Sequence, residues 1–160
     1  MASHRKRGIL RKARISDVKH IHRMLNQSAS RGEMLPRSLA DLYGNVRDFF
    51  VYAEDGTDEV IGHCAMHIFW ENLAEIRSLL VEERYRRKGI ATDLVEACLS
   101  EAITLGLLKV FTLTNRPYFF ETCQFHVVDK ESLPEKIWVD CFKCPKYPDY
   151  CDETAMVIEF

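Results

Sequence analysis

Apolar and polar side chains alternate over residues 9–15 (ILRKARI), the period of a half-buried strand. The spacing then changes to three and four, with Val18, Ile21, Met24 and Leu25 on one side, which predicts an amphipathic helix. Ser16 and Asp17 stand just ahead of that run with oxygens able to cap it. Gly32 to Pro36 breaks the pattern, Ser38 can cap a second, short helix through Leu39 and Leu42, and FFVYA (49–53) reads as a strand. A polar turn, EDGTDE (54–59), joins it to VIGHCAMHIFW (60–70), which predicts an antiparallel hairpin. LAEIRSLLV (73–81) follows after only Glu71 and Asn72 and makes the third strand of a meander.

Beyond Gly89 comes a helix with Ile90, Leu94, Cys98, Ala102 and Leu105 on one face, ended by Gly106. LLKVFTLT (107–114) is then a buried strand. Parallel pairing needs a crossover, and a helix between two strands supplies it, so 73–114 is expected to be a βαβ unit. Pro117 can open another short helix through Phe120, followed by FHVV (125–128) and a closing strand TAMVIEF (154–160). With no internal repeat and no interdomain linker, the expectation is one α/β domain over 1–160 built on a mixed sheet.

Composition agrees. A chain of 160 residues, 47% hydrophobic and 29% charged, is the size and balance of a single globular domain. No apolar run approaches the roughly 18 residues of a membrane span, and the N-terminus has no signal-peptide core. A cytoplasmic location is therefore expected, with the six cysteines as thiols or metal ligands. The net charge is −2, yet residues 1–14 hold six basic side chains and no acid, leaving −8 for the rest. No aromatic side chain is interleaved with those charges, so nucleic-acid stacking has no platform, and residues 1–8 read as a flexible basic tail leading into an edge strand.

Residues 84–92, RYRRKGIAT, combine positive charge with a glycine at the start of the long helix. A helix start exposes unpaired N–H groups with about half a positive charge, and phosphates bind there readily. Gly89 lets a ligand approach the backbone, Ala91 is small, and Arg86, Arg87 and Lys88 add charge; a merely solvated turn would show the same composition. The chain offers neither GxGxxG nor GxxxxGK[ST] here, which disfavours dinucleotides and phosphate-loop nucleotides.

Arg86-x-x-Gly89-x-Ala91, between the strand LLV and an amphipathic helix, resembles the pyrophosphate motif [RQ]xxGx[GA] of the GNAT superfamily of acetyl-CoA-dependent N-acetyltransferases. The order of elements resembles that family over nearly the whole chain. The resemblance implies a sheet with splayed central strands and flanking helices, with acetyl-CoA as cosubstrate. By it, the amides of Arg87, Lys88, Gly89, Ile90, Ala91 and Thr92 hold the pyrophosphate, Leu80 and Val81 pair with the pantetheine arm, and Asn115 contacts the arm or the substrate.

Acetyl transfer to an amine needs a proton acceptor, and the departing thiolate benefits from an acid. Glu75 stands where several GNAT enzymes keep a glutamate that removes the amine's proton through water. The family's tyrosine acid lies in a phrase YxxxGF that here reads FETCQF, so Phe120 takes the tyrosine's place beside the coenzyme. Tyr118, two residues earlier, is the remaining candidate acid, with solvent as the alternative.

GEMLPRS (32–38), LTNRPYFF, SLPEKIW and CPKYPDYCDETAMVI are similar to the acetyltransferase part of bacterial N-acetylglutamate synthases, especially the short stand-alone type. That resemblance implies L-glutamate as acceptor, in arginine biosynthesis, with homodimers common among relatives. Arginine suits carboxylate geometry best. Arg37 is the first anchor candidate, with His67, Arg77 and Arg116 as further substrate-binding candidates. The kinase-like domain that carries arginine feedback in long synthases has no counterpart in these 160 residues. Cys141, Cys144 and Cys151 have the opening spacing of a zinc knuckle but lack a second CxxC pair, so packing thiols are preferred to a metal. Another small amine or a protein amine as acceptor, and a non-catalytic acyl-CoA sensor, are the competing readings.

Overall fold

A computed structural model describes residues 8–134 and 153–160. Its seven strands form one mixed sheet in the order β1-β2-β3-β4-β5-β7-β6, and the described residues group into two compact units, 8–65 with 78–98, and 66–77 with 99–134 and 153–160.

In the first unit β1 (Gly8–Lys12) pairs antiparallel with β2 (Phe49–Glu54), and β2 with β3 (Val60–Trp70), the register shifting between Tyr52 and Ala53. The hairpin is the expected one. β1 stops at Lys12, three residues early, because a single 3₁₀ turn over Ile15–Asp17 intervenes before α1 (Val18–Ser30). Asp17 does not cap α1. Its carboxylate, buried at 6% exposure, accepts from Arg11 Nη1 at 2.7 Å, Arg11 Nη2 at 3.1 Å and the Arg14 amide at 2.7 Å. Part of the basic head is thus neutralised locally, since Arg11 and Arg14 also reach Asp58.

The predicted face of α1 is buried at Val18, Ile21, Met24 and Leu25, against Leu42, Phe49, Val51, Val60 and Ala65. α2 (Leu39–Gly44) begins as expected, with Ser38 Oγ accepting from the Asp41 amide at 3.1 Å. α3 (Ile90–Thr104) buries Ile90, Leu94 and Cys98 in this unit.

β4 (Leu73–Val81) contributes residues 73–77 to the second unit, where it pairs parallel with β5 (Lys109–Thr114) through Ala74↔Val110 and Glu75↔Phe111. β5 pairs antiparallel with β7 (Thr154–Glu159) over six positions, and β6 (His126–Val127) lies on the far side of β7. Leu73, Phe111, Leu133, Ala155 and Val157 form the core, with Phe69, Leu113 and Val128 packed on it. α4 (Pro117–Thr122) starts at its proline.

Two boundaries differ from the pattern. Leu105, expected on the buried face of α3, lies just past its end and is 56% exposed. Leu107 turns inward instead, while Leu108 is exposed and its amide donates to Asn72 Oδ1 at 2.8 Å, so β5 starts two residues late. Residues 1–7 and the candidate zinc ligands Cys141, Cys144 and Cys151 lie outside the described residues. Among the described residues no helix is long and apolar enough to cross a membrane.

Candidate active site

The stretch after β4 is a shaped turn in the first unit. Val81 is buried, the Glu82 amide donates to Ile61 O at 2.9 Å, and a 3₁₀ turn spans Glu83–Tyr85. Arg86 Nε donates to Val81 O at 3.0 Å, strapping the turn to the strand it leaves. Arg87 and Gly89 both adopt left-handed backbone, at φ 64° and 80°. Alternation of left-handed residues with extended or helical ones curls successive N–H groups toward one side, the geometry of an anion-binding nest. Within α3 the first helical bond runs from the Asp93 amide to Gly89 O at 3.1 Å, so the amides of Ile90, Ala91 and Thr92 precede the ladder.

Close seating of that helix depends on Gly62. A Cβ there would lie 3.3 Å from Ile90 Cγ2, Leu94 Cδ1 and Val81 Cγ2. The Arg84 and Lys88 charges lie 5.0 and 5.5 Å from the Tyr85 ring centre, and the Tyr85 hydroxyl donates to Glu54 Oε1 at 3.0 Å. Beside the turn, Met24, Gln27 and Arg31 of α1, residues Leu80–Glu82, and Glu83, Arg84 and Arg86 line an open groove of about 450 Å³.

Arg37 sits between α1 and α2. Its Nε donates to Asp41 Oδ2 at 2.7 Å and its Nη1 to Ser78 Oγ at 3.2 Å, with the guanidinium 5.4 Å from the Phe49 ring centre. Nη2 is buried and has no partner among the described residues. Ser78 has left-handed backbone, φ 56°, in the middle of β4. Its carbonyl accepts from Nδ1–H of His63 at 2.8 Å, which places the His63 proton on Nδ1. That ring is 0% exposed, and burial pushes its pKa down to about 4.

In the second unit Glu75 is buried at 9% exposure, and its Oε1 lies 3.7 Å from Arg77 Nη1. The β4–β5 ladder covers two residue pairs; next along, Thr112 Oγ donates to Ile76 O at 2.9 Å. His67 is half-buried with its ring edge-on to Phe69 at 5.2 Å. Asn115 and Arg116 are exposed where β5 gives way to α4, and the Arg116 amide donates to Thr114 Oγ at 2.9 Å. Tyr118 is 82% exposed, whereas Phe120 is buried at 4% between Phe119 and Phe125.

Within the first unit the structure thus joins Arg37 to β4 at Ser78 and shapes residues 86–92 into one turn; within the second it pairs Glu75 with Arg77. Sequence reasoning passed over His63, Ser78 and Gly62. For Gly62 a signal existed, since a lone glycine inside a strand often marks close approach of another element. A histidine within the apolar run 60–66 was the signal for His63. Among the described residues, His20, Glu59 and Glu82 are close enough to share a metal ion, their ligand atoms lying within 4.8 Å, although Glu59 is exposed.

Residues 17–126 match the acetyltransferase (GNAT) family. The chain belongs to the GNAT acetyltransferase family. An uncharacterized N-acetyltransferase of Chlorobaculum tepidum is 43% identical to this GNAT protein over 92% of it and 94% of the relative. An amino-acid acetyltransferase of Mycobacterium tuberculosis is 35% identical over 82% of this chain and 76% of its own. Among solved structures, Rv2747 of M. tuberculosis, in complex with CoA and NLQ, superposes with a TM-score of 0.82 at 25% identity, covering 95% of this chain and 99% of that one.

Proposed function

We propose that this GNAT acetyltransferase moves the acetyl group of acetyl-CoA directly onto the α-amine of an amino acid, L-glutamate before others. The observation that carries the acceptor class is Arg37: a guanidinium fixed at Nε and Nη1, with Nη2 buried and uncommitted, is a prepared partner for a carboxylate. The GEMLPRS phrase and the M. tuberculosis amino-acid acetyltransferase support the same class.

In this reading the amides of Arg87 to Thr92 hold the pyrophosphate, with Arg86 and Lys88 contributing charge, and Leu80 and Val81 pair with the pantetheine arm; Asn115 and Phe120 are further candidates for coenzyme contact. The amine nitrogen bonds to the thioester carbon, the carbon–sulfur bond breaks, and coenzyme A leaves as thiolate. Glu75 takes the amine's proton through water, and Arg77 and Arg116, with His67, assist Arg37 in placing the acceptor. Tyr118, already in solvent, or solvent itself returns a proton to the thiolate. Arginine biosynthesis in the cytoplasm, and a homodimer, go with this reading.

A second reading has one observation in its favour. The buried Phe120 in the tyrosine's place, and Tyr118 in solvent, would suit a non-catalytic acyl-CoA sensor. Thiol release from acetyl-CoA across a panel of amino acids, polyamines and peptide amines separates the readings. Glutamate turnover, with Arg37→Leu raising its KM at least tenfold, is the expected result. Turnover of spermidine but not of any carboxylated amine would refute the acceptor class, and coenzyme binding without turnover of any acceptor would support the sensor.

A further inference from the structure

His63 occupies a place where an apolar side chain would pack without an unsatisfied nitrogen. It faces Val51 of β2, lies in an all-buried stretch of β3, and is 0% exposed. The ring makes one hydrogen bond, Nδ1–H to Ser78 O at 2.8 Å, and Nε2 has no partner among the described residues. A buried polar ring half satisfied in this way costs stability, so that one bond is what its presence provides.

Ser78 is gripped at both ends. Its carbonyl turns inward to His63, its hydroxyl accepts from Arg37 Nη1 at 3.2 Å, and its backbone is left-handed, a conformation L side chains rarely adopt. Phe49 closes the ring of contacts, 5.8 Å from the His63 ring and 5.4 Å from the Arg37 guanidinium. Asp41 holds Arg37 Nε from the other side at 2.7 Å. With those contacts made, the direction of Nη2 depends on where Ser78 Oγ stands, and Ser78 Oγ depends on the carbonyl that His63 holds.

We infer that His63 is a positioning residue which, through Ser78, fixes the direction of Arg37 and so of the carboxylate of the acceptor. The carboxylate part of this statement rests on the acceptor reading above; the control of Arg37 by His63 does not. A role as proton carrier is ruled out by geometry, because the ring is wholly buried and its proton is committed to Ser78 O.

The test compares three variants. His63→Asn keeps a donor near the place of Nδ1, His63→Gln moves the donor outward, and His63→Leu removes it. With the amino acid that wild type acetylates best, His63→Leu and His63→Gln raise the acceptor KM about tenfold, as loss of one well-placed charged hydrogen bond does. The KM for acetyl-CoA and kcat change less than about twofold, and His63→Asn recovers most of the loss. In the substrate-free protein, exchange of the Arg37 Nε proton with water, read by NMR, accelerates at least tenfold in His63→Leu and is slowed again in His63→Asn. Unchanged exchange and unchanged acceptor KM in His63→Leu overturn the inference, as do equal changes in the Leu and Asn variants. If His63→Leu does not fold, the Asn and Gln variants carry the same comparison. A wild-type protein that acetylates no amino acid but shows the predicted exchange pattern sinks the acceptor reading and leaves the control of Arg37 by His63 standing.

Discussion

Lowering the pH from 7 to 5 should destabilise this protein through one residue, His63. Burial is the main cause of its low pKa, with the charges of His20 and Arg37 pushing the same way and the Ser78 hydrogen bond opposing them. The native pKa is about 4 against 6.5 in the unfolded chain. Between those values the unfolded chain binds a proton that the native protein does not, so stability falls as pH drops through 6.5 and levels off below 4. The shift from 6.5 to about 4 corresponds at pH 5 to about 2 kcal/mol relative to neutral pH. For a domain of this size that is a fall of roughly 4–8 °C in Tm. Urea titrations at pH 7, 6 and 5 on wild type and His63→Asn isolate the effect, since asparagine does not titrate and the other groups are common to both. Two stability curves that run parallel over that range would show that His63 takes up its proton in the folded state, and the buried-neutral assignment would be wrong.

Glu75→Gln should lower kcat by about a hundredfold near neutral pH, in line with loss of a positioned base, and by much less near pH 9.5, where the amine deprotonates unaided; a loss that does not vary with pH would reject the role. Gly89→Ala puts a Cβ on a backbone at φ 80°, a cost of about 1–2 kcal/mol. Calorimetry should then find coenzyme A binding weakened roughly tenfold, and unchanged affinity would mean that the turn does not have to keep this shape to bind. Neutralising Arg84, exposed beside Tyr85, should change that affinity much less.

Much of the architecture was legible because helices and strands write their periods into short windows. β3 and β4 end where the alternation and the Glu71-Asn72 break place them. Ser38 caps α2 through the neighbouring Asp41 amide, and the inner face of α1 is the one its spacing marks. Leu105, expected on the inner face of α3, is exposed, because a periodic pattern carries no mark for the residue at which the helix stops. Asp17 looked like a cap, and the Arg11 guanidinium from β1 claimed it instead.

The turn at 84–92 shows the same division on a smaller scale. Its glycine, its small residue and its place between a strand and a helix are local facts, readable in the sequence. That Arg87 is left-handed as well, and that Arg86 straps the turn to Val81 rather than facing solvent, depends on the packed strand behind it. His63, Ser78 and Arg37 make the point most strongly. Their hydrogen bonds link positions 15 and 41 residues apart, and no local pattern records which buried carbonyl a histidine will find or which serine will be held left-handed. By itself the sequence determined most of the elements, their order and the glycine turn after β4, since those follow from short-range sterics and hydrophobic spacing. Only the tertiary structure decided which polar groups are satisfied and which, like Arg37 Nη2, are buried without a partner among the described residues, because that depends on groups from distant segments desolvated at one place.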